Sequence, residues 1–438
     1  MSNKKIRKIN HSAAGIDIGA SDIFIGIENK EVLSFSTFTE SYLDAISYLK
    51  ENTITTVAME ATGVYWYSLY DMIESSGIEV YLVNGRAMKN VPGRKSDVQD
   101  CQWLQELHSY GLLKRCFIPD DITRQLRTYC RLRQDHLSLS SQHIQHMQKA
   151  FDSMNIKLHN VISQINGVSG LRIVKAIIEG NHNPVELSKL CEKSILKKKE
   201  DLVISSLKGH YREDYIFALS QAVDGYEFYQ KKAVECDKQI EKLLEKITKD
   251  KSLPQKITPP KRIRHNAPQI ENLHRMLMQL TEGNDPSQVV GLTDKTLLEL
   301  IAETGTDLSR WPTEKHFTSW LCLAPGKHQS GKKNKNRKRR GHTKAGQIFR
   351  NAAYSLTKSK QTAIGAFYQR MKAKKGPLIA NKATARKIAV IYYNVMTKGI
   401  EYVEKGIIDY QQKVKEQRLK YLNKQAKKLG FNLSPIIK

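Results

Sequence analysis

The run Gly15-Ile16-Asp17-Ile18-Gly19-Ala20-Ser21-Asp22-Ile23-Phe24-Ile25-Gly26-Ile27 constrains the fold of this chain more than any other stretch. Ile16 and Ile18 flank Asp17, and the two-residue period of a strand puts both isoleucines on one face and the carboxylate on the other. Gly19 lets the backbone turn sharply, and Ile23, Ile25 and Ile27 supply a return strand. The product is a β-hairpin with one acid at its centre. On this stretch alone Asp17 is as readily a turn cap as a functional group, so the acids that follow decide.

They follow in an alternating pattern. Helical spacing of Leu43, Ile46 and Leu49 marks Tyr42 to Lys50, and Thr55 to Glu60 reads as a strand ending in an acid. Ala61-Thr62-Gly63 then opens an amphipathic stretch from Val64 to Ser75. Ile78 to Val83 is a second strand, Asn84 to Arg94 a loop, and Asp97 starts a helix to about Tyr110 with Trp103, Leu104 and Leu107 on one face. Strands alternating with helices predict an α/β layer with a mixed sheet.

Glu60 stands at the carboxyl end of its strand, where α/β sheets place ligands. Asp97 and Asp100, three apart on a helix, point the same way and repel unless a cation joins them. Singly, Glu60 is a helix-start charge and Asp97 an N-cap. Jointly with Asp17, four carboxylates from three elements suit a hard divalent cation, Mg²⁺ or Mn²⁺, and two such ions would clamp the attacking and leaving oxygens of a phosphodiester.

Charge identifies the partner. The net charge of +27 calls for a polyanion, and nucleic acid is the default. It is unevenly spread: acids outnumber bases from Gly15 to Tyr110, whereas no Asp or Glu stands between Glu314 and Glu401. The six cysteines include no C-x-x-C pair, which argues against a zinc knuckle or a disulfide framework and for reduced thiols. No run is apolar enough to span a bilayer and the polar start lacks a signal-peptide core, so a cytoplasmic protein without a membrane partner is expected.

The middle of the chain is helical. Ile144, Met147, Phe151 and Met154 alternate three and four apart, and Leu219, Tyr226, Ala233, Ile240 and Ile247 recur every seventh residue. Such a seam pairs helices, either within one subunit or between subunits. Gly167-Val168-Ser169-Gly170-Leu171 reads as a turn whose two glycines separate helical runs, and Thr258 to Pro268 as a linker. The last domain opens near Gln288 with Val289-Val290-Gly291-Leu292-Thr293 before a helix from Thr296 to Thr304. Helices are also expected over Phe317 to Leu323, Thr343 to Thr357 and Asn381 to Lys398. Between them lies a basic run, and Lys327, Lys332, Lys333, Lys335, Arg337, Lys338, Arg339 and Arg340, with Lys344 and Arg350, are candidate phosphate contacts in acid-free surroundings. From the residues alone Ser330 is a turn serine before glycine.

Together, Gly15-Ile16-Asp17, Met59-Glu60-Ala61-Thr62-Gly63, Lys95-Ser96-Asp97-Val98-Gln99-Asp100 and Pro325 to Gly331 resemble the DEDD transposases of insertion sequences, the Piv/MooV-like family whose members act as bridge-RNA-guided recombinases. Gly167 to Leu171, Trp311-Pro312, Trp320-Leu321 and Ala383 to Ala389 fit the same pattern. The resemblance implies an α/β plus mainly α architecture: a RuvC-like N-terminal domain of the RNase H fold, a long helical or coiled-coil middle, and a helical C-terminal transposase domain. The corresponding boundaries are a basic tail over 1–14, the catalytic domain over 15–118, helices over 119–258, a linker over 259–287, the transposase domain over 288–405 and a basic helical tail over 406–438.

The resemblance also implies that Asp17, Glu60, Asp97 and Asp100 are the four acidic metal ligands and that Ser330 is a nucleophile giving a 5′-phosphoserine intermediate. The expected partners are donor and target DNA, a guide RNA and further copies of the chain, as a dimer or tetramer. Three rivals predict otherwise: a hydrolytic RuvC-like Holliday-junction nuclease with water in place of serine; an actin-like ATPase or sugar kinase, suggested by Asp17-Ile18-Gly19 and Ser21; and a non-catalytic nucleic-acid scaffold.

Overall fold

A computed structural model of the protein describes residues 7–85, 97–263, 265–325, 328–330, 333–335, 342–401 and 407–434. The chain divides into two compact units, Met1–Ile118 and Pro119–Lys438.

The first unit is built on a sheet of β1 (Ala13–Ile18), β2 (Asp22–Ile27), β3 (Leu33–Ser36), β4 (Thr56–Glu60) and β5 (Glu79–Val83) in the order β3-β2-β1-β4-β5. The first hairpin is antiparallel, with Asp17 opposite Phe24, and β3 pairs antiparallel with β2; β1, β4 and β5 run parallel, with Ile16 beside Met59 and Glu60 beside Val83. This mixed sheet, with its helices, is an RNase H-like arrangement.

Period-two alternation sorts the strands into two faces. Ile16, Ile18, Ile23, Ile25, Val57, Met59, Val80 and Leu82 form one core with α1 (Thr39–Glu51) and α2 (Trp66–Ser75). Ile16, Ile23 and Ile25 are fully buried, each contributing on the order of 2 kcal/mol by transfer from water. α1 buries Tyr42, Ala45, Ile46 and Leu49, a three-and-four spacing that makes one stripe.

The opposite face carries Gly15, Asp17, Ala58 and Glu60 and is covered by α3 (Asp97–Ser109). α3 begins at Asp97 as expected but buries Cys101, Leu104, Gln105 and His108, while Trp103 and Leu107 are only half-buried. The sheet is the reason. A β-carbon on Gly15 would overlap the carbonyl of Cys101 and lie 2.9 Å from Leu104 Cβ, and one on Gly26 would lie 3.0 Å from the Gln102 nitrogen. The two glycines let the helix backbone rest on the strands, and backbone contact favours small or polar groups over an apolar stripe. Gln105 donates to the Ala13 carbonyl at 3.4 Å, and His108 Nε2 meets Thr56 Oγ1 at 2.9 Å.

In the second unit α4 (Asp121–Ser153) and α9 (Glu213–Thr248) lie side by side and antiparallel, since Arg133 meets Asp237 while Gln230 donates to Ser140 at 2.9 Å. The heptad residues Leu219, Ala233 and Ile240 are buried here, so the seam is satisfied within one chain. Where α4 ends, α5 (Leu158–Val161), α6 (Val168–Ile178), α7 (Pro184–Ser188) and α8 (Lys193–Ser206) fold into a cap on a core of Met147, Phe151, Ile173, Ile177, Leu207 and Leu219. Gly170 sits in the first turn of α6, against the Ile165 carbonyl, so only Gly167 separates helical runs.

Beyond α9 come α10 (Leu273–Leu280), α11 (Asp294–Thr304), α12 (Glu314–Trp320), the short strands β6 (His328–Ser330) and β7 (Lys333–Lys335), α13 (Lys344–Ser355), α14 (Ala363–Lys375), α15 (Pro377–Lys398) and α16 (Ile407–Lys428). Among its described residues the proline-rich stretch has no helix or strand, but it is fastened down: Lys261 Nζ donates to the carbonyls of Ser287 at 2.7 Å and Val289 at 3.1 Å, and His274 Nε2 meets the Thr258 carbonyl at 2.7 Å. Arg133 and Asp237, both buried, join the two long helices, Nε to Oδ1 at 2.5 Å. Arg133 also donates to the Asn266 carbonyl at 3.2 Å, and Asp237 accepts from the Gln269 nitrogen at 3.0 Å. Trp311, Phe317, Trp320, Phe349 and Tyr392 pack together at ring separations of 4.7 to 6.3 Å. None of the described helices is long and apolar enough to cross a membrane.

Candidate active site

Asp17 is the penultimate residue of β1 and Glu60 the last of β4; strand alternation puts both on the face that α3 covers. α3 starts there, so Asp97 and Asp100 come from its first turn. Asp17 feels the charge of the other three acids. The Asp17 carboxyl is pushed up to about 6, first by burial and then by the negative charges of Asp97, Asp100 and Glu60, against a hydrogen bond from the Ile18 backbone. Asp97 is exposed while Asp17, Glu60 and Asp100 are half-buried, so the cluster opens to solvent on the α3 side.

Gly85, two residues beyond β5, is buried against Glu60. A β-carbon there would overlap the Glu60 carboxylate itself. A bare backbone therefore sits against this acid, and no motif marks Gly85 in the sequence. Its only signal is a glycine shortly after an apolar strand, which any loop glycine shares.

Two neighbours can be set aside as reacting groups. The Cys101 thiol is pushed up to about 12 by burial and by Asp17, so it stays protonated. His108 is pushed down to about 4 by burial and stays neutral, bonded to Thr56.

Among the described residues no three Asp, Glu, His or Cys side chains converge tightly enough to hold a metal ion unaided. The donor set nonetheless suits one. All four groups are carboxylates, the choice of a hard divalent cation, and their mutual repulsion at Asp17 is the cost a cation would remove.

Ser330 ends β6, its Cα paired in register with Lys333. Lys333 and Lys335 lie in β7, Lys344 is the exposed first residue of α13, and Arg350, half-buried on the same helix, has a buried Nε with no hydrogen-bond partner. Lys327, Lys332, Arg337, Lys338, Arg339 and Arg340 lie outside the described residues.

Two family models match the chain. The one for DEDD transposases of IS110, described as Transposase, covers residues 14–156, from β1 to the end of α4. The one described as Transposase IS116/IS110/IS902 family covers residues 287–369, from the turn before α11 into α14. No curated protein matches. The order of the two matches, a DEDD segment on the RNase H-like sheet followed by a transposase segment on the basic helices, makes this chain a member of the IS110 family of DEDD transposases, DNA-binding enzymes that cut and rejoin DNA.

Proposed function

We propose that this transposase recombines DNA through a serine-phosphodiester intermediate, with Asp17, Glu60, Asp97 and Asp100 holding Mg²⁺ or Mn²⁺ and Ser330 as nucleophile. The observation that supports it most is Asp17, whose carboxyl is driven up to about 6 by burial and by three other acids. A fold that gathers such charges without a stabilising partner loses stability; one that gathers them for a cation gains a site. When bound, the ions neutralise the carboxylates and polarise the phosphate.

In the proposed reaction Ser330 Oγ attacks phosphorus. The Oγ–P bond forms as the P–O3′ bond breaks, and the serine proton ends on the departing 3′ oxygen, leaving a 5′-phosphoserine and a free 3′-hydroxyl. Attack by a second 3′-hydroxyl on that phosphoserine reverses the step on a new strand, with no nucleotide cofactor. Lys327, Lys332, Lys333, Lys335, Arg337, Lys338, Arg339, Arg340, Lys344 and Arg350 would hold phosphates and carry no sequence information. Sequence choice is proposed to fall to a bridge RNA. Exchange between two duplexes needs more than one active site, which requires a dimer or tetramer.

Incubation of the protein and its co-purified RNA with labelled element-junction DNA and Mg²⁺, followed by denaturing electrophoresis, tests this. The expected result is a protein–DNA adduct that Ser330→Ala abolishes. Cut DNA without adduct in the wild type would replace the proposal with the hydrolytic junction nuclease, which uses the carboxylates and water alone.

A further inference from the structure

We infer that Val64 and Tyr65 form an apolar wedge that enters the base stack of the DNA strand being cut, beside the scissile phosphate. The inference rests on the reading of Glu60 and its partner carboxylates as the catalytic site.

The turn after Glu60 is built, not slack. The Ala61 nitrogen donates to the Val83 carbonyl at 2.9 Å, carrying the β4–β5 pairing past the acid. Thr62 then donates to the Glu60 carbonyl at 2.9 Å and Tyr65 to the Thr62 carbonyl at 3.3 Å. This braced turn exposes apolar side chains: Val64 is 72% exposed, Tyr65 48% and Tyr67 43%. Trp66 anchors them from below, packed against the sheet core, stacked on Tyr67 at 4.0 Å and edge-on to Tyr70 at 5.6 Å. An apolar patch on a fixed support is a feature of contact surfaces.

The chemistry of the patch names the ligand. From Ala61 to Tyr70 there is no Lys, Arg, Asp or Glu, so this surface offers phosphate no counter-charge. It offers two flat rings, Tyr65 at the tip and Tyr67 behind it, and one branched aliphatic group. In a DNA-binding chain, within five residues of a catalytic carboxylate, the apolar surface that comes within reach is the face of a base. An inserted side chain parts neighbouring bases and bends the strand there, presenting the phosphate between them.

The test uses the full-length protein with its RNA and a junction duplex carrying 2-aminopurine next to the cut. Wild type and Tyr65→Phe should raise its fluorescence several-fold on binding and cut at equal rates, whereas Tyr65→Ala should lose the rise and cut about ten-fold more slowly. A mismatch beside the cut, which unstacks the base in advance, should restore the Tyr65→Ala rate. Absence of a fluorescence change in the wild type, or unrescued slow cutting by Tyr65→Ala, overturns the wedge. Loss of self-association in Tyr65→Ala with unchanged DNA signals would reassign the patch to protein contact. Glu60→Gln separates the two readings: it should keep the fluorescence rise and lose cutting, and if it cuts normally the carboxylate reading fails while the fluorescence still reports on the wedge.

Discussion

Replacing Asp17 with Asn should make the metal-free protein more stable. The Asp17 carboxyl moves from 3.8 to about 6 on folding, roughly two pH units, and at about 1.4 kcal/mol per unit the ceiling is about 3 kcal/mol. The site is only half-buried, so solvent screening reduces this to about 1–2 kcal/mol. The sign follows from the raised value. Below about pH 4 Asp17 is protonated folded or unfolded and costs nothing; as pH rises from 4 through 6 the folded state loses a proton it holds more tightly, and stability falls. Urea denaturation in EDTA should therefore place Asp17→Asn about 1–2 kcal/mol above wild type at pH 7.5, with the difference gone by pH 4. His108, held down at about 4 by burial, imposes the opposite slope, losing stability as pH falls below 6.5, so the difference between variant and wild type isolates Asp17. Adding Mg²⁺ at ten times its Kd should stabilise the wild type by about 1.4 kcal/mol and the variant by less. An Asn variant less stable than wild type at pH 7.5 in EDTA, or a gain that persists at pH 4, would refute the burial and repulsion that raise Asp17.

Two further expectations concern residues that no motif marks. Gly85→Ala should leave the fold intact, because the clash is with one side chain, yet displace the Glu60 carboxylate; cutting should fall on the order of 100-fold and Mg²⁺ affinity, read by calorimetry, should weaken with it. Asp237→Asn leaves the Arg133 guanidinium buried and unpaired and should cost about 3–5 kcal/mol in urea denaturation, whereas the apolar pair Arg133→Met with Asp237→Leu should come close to wild-type stability.

Much of the first unit was legible because a strand has only two faces. Ile16 and Ile18 give Asp17 its face by period two without knowledge of the partner strands, and Glu60 was legible as the acid at the carboxyl end of its strand. What could not be read was which groups approach by backbone. The buried face of α3 is set by Gly15 and Gly26 in strands far away in sequence, so of the apparent stripe of Trp103, Leu104 and Leu107 only Leu104 is fully buried. Gly85 escaped for the same reason: its role lies in what a β-carbon would strike. In the second unit the seven-residue seam of α9 announced a stripe without naming its partner; α4, with Leu126, Arg133, Leu137, Ser140 and Met147 buried along one side, is that partner. Ser330 was never visible in the residues by themselves, since a serine before glycine is an ordinary turn, and only its place in an ordered set of motifs singles it out.

The pair of long helices in the second unit also sets a length. At 1.5 Å per residue the 33 residues of α4 span about 50 Å. One end carries the cap of α5 to α8; near the other, Arg131 grips Glu303 of α11 through two bonds of 2.8 and 2.9 Å. Two folded bodies are thus mounted on a stiff strut whose span equals about 15 base pairs of B-form duplex at 3.4 Å each. Removing seven residues from each helix would keep the seam in phase and shorten the strut by about 10 Å, the length of three base pairs.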